Sequence, residues 1–107
     1  MEGIRLREKD ITQIIVLFKK YYDSTQEHLW IFGSRVDATK RGGDIDLYIE
    51  TQESNAQLAN EQRQKFLHAL YDALGDQKID VVINMVESLY SELPIYKIAK
   101  KTGVMLV

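Results

Sequence analysis

The stretch IFGSRVDATKRGGDIDLYI, from Ile31 to Ile49, constrains the fold more than any other part of the chain. An apolar run stops at Gly33-Ser34, a polar loop closes on Gly42-Gly43, and a second apolar run begins with Asp44 and Asp46 set into it. In DIDLYIE the alternation is clean, with Ile45, Leu47 and Ile49 on one side and Asp44, Asp46, Tyr48 and Glu50 on the other. A third acid, Asp80, lies inside the apolar run KIDVVI. Carboxylates embedded in strands are costly to desolvate and repel one another, so a fold that gathers them calls for cations.

The rest of the chain supplies cover for such strands. Ile11, Ile14, Ile15, Phe18, Tyr21 and Tyr22 follow a helical period over residues 10–23, with Asp10 and Gln13 as the expected cap pair. HLWIF reads as a strand ending at Gly33, and RVDATKRGG as a short helical turn followed by a loop. Ser54 or Asn55 can cap a long helix carrying Leu58, Ala59, Phe66, Leu70 and Leu74, with Gly75 as its stop. Pro94 opens a last helix that runs towards Lys101, Gly103 ends it, and VMLV forms a final short strand. The expected fold is α/β or α+β, a mixed sheet with helices packed on it, in one domain over residues 1–107. Strand directions stay open at this point.

Charge and composition exclude several roles. The net charge is −2 and the pI about 5.6, so no global basic field exists to grip long nucleic acid. There are no cysteines, which removes disulfides, thiolate zinc sites and a cysteine nucleophile. The opening MEGIRLREKD is charged and lacks an apolar signal core, and no apolar run approaches membrane-spanning length. The expectation is a cytoplasmic protein with no membrane partner.

Side chains at i and i+2 of a strand share a face, about 6–7 Å apart at their roots, so Asp44 and Asp46 can converge on a hard cation. If the neighbouring strand carries Asp80 on the same face, a second metal becomes feasible and can serve both attacking and leaving oxygens in a displacement at phosphorus. Taken alone, an Asp-x-Asp is also what the solvated face of an edge strand carries, and Asp80 could pair with Lys78 or Arg63. Free N–H groups at the Gly33-Ser34 turn favour anions, and Gly42-Gly43 permit close backbone approach to a ligand. Arg35, Lys40 and Arg41 border this turn and can meet phosphate oxygens or simply face solvent. GxxxxGK[ST], GxGxxG and HExxH are all missing. His28 and His68 lack metal-ligand spacing, and the Lys97, Lys100 and Lys101 cluster reads as a solvated helix end.

Taken together, Phe32-Gly33-Ser34, the nine-residue spacer from Arg35 to Gly43, Asp44-Ile45-Asp46 and Asp80 resemble the minimal nucleotidyltransferases of the DNA polymerase β-like superfamily. The resemblance covers most of the chain. It implies a polymerase β-like fold in which Asp44, Asp46 and Asp80 bind two Mg²⁺ ions and carry catalysis. It further implies that Gly33 and Ser34, with Arg35 and Gly43 beside them, hold the nucleotide. The implied reaction is attack of an acceptor hydroxyl on the α-phosphorus of ATP with release of pyrophosphate.

Within these 107 residues there is no room for an acceptor-binding domain, and the expectation is that a second protein or a second copy of the chain supplies that surface. Small members of this kind resemble the antitoxin halves of two-component pairs, whose all-helical HEPN-type toxin partner receives AMP on a tyrosine. Two alternatives stand beside that reading. One is a binding module that neutralises its partner by occlusion; the other is the catalytic half of a small-molecule nucleotidyltransferase.

Overall fold

The computed structural model describes residues 6–33, 44–75, 77–86 and 93–107. The elements run α1 (Glu8–Tyr21), β1 (His28–Phe32), β2 (Ile45–Thr51), α2 (Ala56–Leu74), β3 (Ile79–Met85), α3 (Pro94–Thr102) and β4 (Val104–Met105). The strands form one sheet in the order β3-β2-β1-β4. β1 pairs antiparallel with both β2 and β4, whereas β2 and β3 run parallel. The parallel pair needs a long return, and the 19-residue α2 provides it. The result is the mixed sheet with packed helices that the element pattern indicates.

Alternation divides the side chains between two faces. Leu29, Ile31, Ile45, Leu47, Ile49, Ile79 and Val81 pack against Ile11, Ile14 and Phe18 of α1 and Phe66, Leu70 and Leu74 of α2. Phe18 stacks on Tyr22 at 4.9 Å between ring centroids, and Phe66 meets both edge-on. On the opposite face, α3 seals a smaller cluster of Trp30, Phe32, Tyr48 and Ala99, with Tyr96 and Val82 against it.

Most element ends follow from local chemistry. Asn55 caps α2 by accepting the Leu58 N–H at 3.1 Å. Gly75 ends that helix at φ +78, a backbone conformation open to glycine. Pro94 occupies the first turn of α3. The expected Asp10 cap is corrected: α1 starts at Glu8, after an extended Arg7. Asp10 lies one turn in and buried, where its carboxylate accepts from the Arg7 guanidinium at 3.2 and 3.3 Å. An acid in the first turn also complements the helix dipole. The closing strand is shorter than VMLV, with Leu106 and Val107 still bonded through their backbones to Leu29.

Buried Glu27 fastens the α1–β1 connection to the end of β2. Its carboxylate accepts from the Asp23 N–H at 2.8 Å, from the Thr51 hydroxyl and from the Gln52 N–H at 3.1 Å. A desolvated carboxylate is tolerated when donors surround it in this way.

Candidate functional site

The registers bring the acids together. Asp46 pairs with Asp80 across the parallel β2/β3 ladder and with Phe32 across β1/β2. Paired residues share a face, and neighbouring strands lie about 4.8 Å apart, so Asp46 and Asp80 project side by side. Asp44 precedes β2 by one residue and falls on the same side as Asp46. All three therefore belong to the face that α3 covers, at the end away from Glu50. The reason is a matter of parity: the odd residues of β2 fill the main core, so the even ones must leave it.

Gly33 completes this corner. Its φ is +77, and a Cβ built there would fall on the Asp46 carboxylate, with Cγ at 3.2 Å. Any side chain would thus meet both backbone strain and a collision with the carboxylate. The glycine that ends β1 allows the chain to turn directly over Asp46. Ser34, Arg35, Lys40, Arg41, Gly42 and Gly43, together with the expected helical turn at 35–43, lie outside the described residues.

Electrostatics couple the three acids to one another and to Lys78. The Asp46 carboxyl is held above its ordinary value by partial burial, then by the charges of Asp80 and Asp44, against a smaller opposing pull from Lys78. Lys78 is pushed above its ordinary value, chiefly by Asp44 and further by Asp80 and Asp46. Its Nζ lies 3.4 Å from Asp44 Oδ2. Among the described residues, no three His, Cys, Asp or Glu side chains are closed into a ready metal cage. The donor set nevertheless suits a hard divalent ion, being all oxygen and on one face. Asp44, Asp46 and Asp80 would hold it, and it would supply charge neutralisation for phosphoryl oxygens.

Beyond the acids the same face carries a polar chain absent from the sequence reading. The Tyr48 hydroxyl donates to Glu50 Oε2 at 2.8 Å and accepts from Asn84 Nδ2 at 3.0 Å. Lys100 of α3 reaches Glu50 Oε2 at 3.1 Å and sits 5.4 Å from the Trp30 ring centroid. Burial raises the Tyr48 phenol well above its usual range, which keeps it a hydrogen-bond donor. Lys100 is therefore paired with the sheet as well as half exposed to solvent. The alternation of DIDLYIE held the signal, since Glu50 continues the series of Asp44, Asp46 and Tyr48. His28 lies on β1 with its ring edge-on to Trp30, and exposed His68 sits 3.7 Å from Asp72. Neither approaches the acids in register. Arg63 donates to the Val81 carbonyl at 2.8 Å.

No protein-family model matches the chain, and no curated protein matches it.

Proposed function

We propose that this protein is a Mg²⁺-dependent nucleotidyltransferase that moves AMP from ATP to a hydroxyl on a partner protein, most directly a tyrosine of a HEPN-type toxin. One observation carries the reading: the β2/β3 register sets Asp46 against Asp80 with Asp44 on the same side and Gly33 turning above them. Two metals among these acids would neutralise the triphosphate and activate the acceptor hydroxyl, with Asp80 available to receive its proton. In-line placement and charge neutralisation account for most of the acceleration in such transfers. Gly33 and Ser34 would cradle the phosphates, with Arg35 and Gly43 beside them.

A partner fits the surface of α3. Ile95 and Ile98, three residues apart on α3, are 41% and 54% exposed, and Lys97 and Lys101 lie on the same helix. This patch also favours the second reading, in which the protein neutralises its partner by occlusion without chemistry. No described helix is long and apolar enough to cross a membrane.

Incubating the chain with the product of the adjacent gene, Mg²⁺ and ATP, then weighing that product by mass spectrometry, separates the readings. A mass increase of one or more AMP groups, lost in Asp44→Asn and Asp46→Asn, is expected. Unmodified partner held equally well by Asp44→Asn would favour occlusion instead.

A further inference from the structure

Among the described residues, the acid cluster already meets a cation of the chain itself, Lys78. Lys78 immediately precedes β3 and lies two residues before Asp80, so its side chain leaves the extended backbone on the same side. Its root is fixed, because the Ile45 N–H donates to the Lys78 carbonyl at 2.9 Å and continues the β2/β3 ladder to the edge of the cluster. From that anchor the ammonium reaches Asp44 Oδ2 at 3.4 Å, with the lysine side chain 68% and the aspartate side chain 43% exposed. Two described cations on the covering helices are engaged elsewhere, Arg63 of α2 at the Val81 carbonyl and Lys100 of α3 at Glu50.

We infer that Lys78 is a built-in counter-ion, paired with Asp44 in the metal-free protein and displaced from it when a divalent cation binds, so that its charge sets the metal affinity of the cluster. This rests on the metal-site reading of Asp44, Asp46 and Asp80. A divalent ion drawn to Asp44 meets the ammonium within a few ångströms, and two cations on one carboxylate repel. The lysine is exposed and on a flexible tether, so displacement costs little ordering. For a pair so open to water, the repulsion corresponds to about three- to tenfold in affinity.

The test is Mn²⁺ binding to the whole chain without nucleotide, read from the electron paramagnetic resonance signal of free Mn²⁺. Wild type, Lys78→Met and Lys78→Arg are compared, with Asp46→Asn as the site control. Lys78→Met is expected to bind Mn²⁺ about three- to tenfold more tightly, and Lys78→Arg within about twofold of wild type, since it keeps the charge. The gap between Met and wild type should narrow as salt rises from ~0.02 to ~0.3 M. Unchanged or weaker binding by Lys78→Met overturns the inference, and the metal reading survives if Asp46→Asn still abolishes binding. Wild-type protein that takes up no Mn²⁺ overturns both.

Discussion

Part-buried Asp46 faces Asp80 across the ladder and Asp44 along its own chain, so its charged form is disfavoured in the folded protein. A carboxyl whose folded pKa is raised contributes stability that is complete below its unfolded pKa and lost as pH rises through the folded one. At neutral pH the metal-free fold therefore carries a strain that Asp46→Asn removes. Thermal unfolding in a chelator should show the variant more stable at pH 7, by on the order of 2–4 °C. The gain should fade as pH falls through the raised pKa of the wild-type carboxyl; a gain that does not change with pH would refute it. The motif's acids and Gly33 were legible because alternation and an abrupt strand end depend only on neighbouring residues. The attachment of Lys78 to Asp44 rather than Asp80 was not, because it depends on where β3 starts relative to β2.

At the level of elements, α3 is anchored through polar groups as much as through apolar packing. Ala99 is its only buried residue among those described, while Tyr96 stacks 5.8 Å from Tyr48 and Lys100 binds Glu50. Tyr48→Phe keeps the ring but strips Asn84 Nδ2 and Glu50 of a partner beneath the helix. Denaturant unfolding should show a loss of about 0.5–1.5 kcal/mol, the net worth of a typical hydrogen bond, since Glu50 keeps Lys100. A change within experimental error would mean that water replaces the hydroxyl. Helix ends marked by Asn55, Gly75, Pro94 and Gly103 were readable because each acts on its own turn. Gly103 is also held by tertiary packing, since a Cβ there would lie 2.8 Å from the Ile31 carbonyl oxygen. The start of α1 was misread because Asp10 and Gln13 mimic a capping pair, while the observed boundary at Arg7 has no side-chain cap.

Across the whole molecule, strand order and direction were hidden from the sequence, because a long helical return suits several arrangements until all pairings compete. The order that results sets β2 in the interior and β3 at a border of the sheet. Among the described residues, Asp46 accordingly belongs to a strand bonded on both sides, whereas Asp80 sits on one bonded on a single side. A cation gripping both would act as a staple between a fixed rail and a looser one. Its imprint should appear as slowed deuterium uptake along 79–85 when Mg²⁺ is added, while 45–51 changes little; uniform slowing of both would point to general tightening instead. A border strand that frays without its ion would make metal loading and local order a single event.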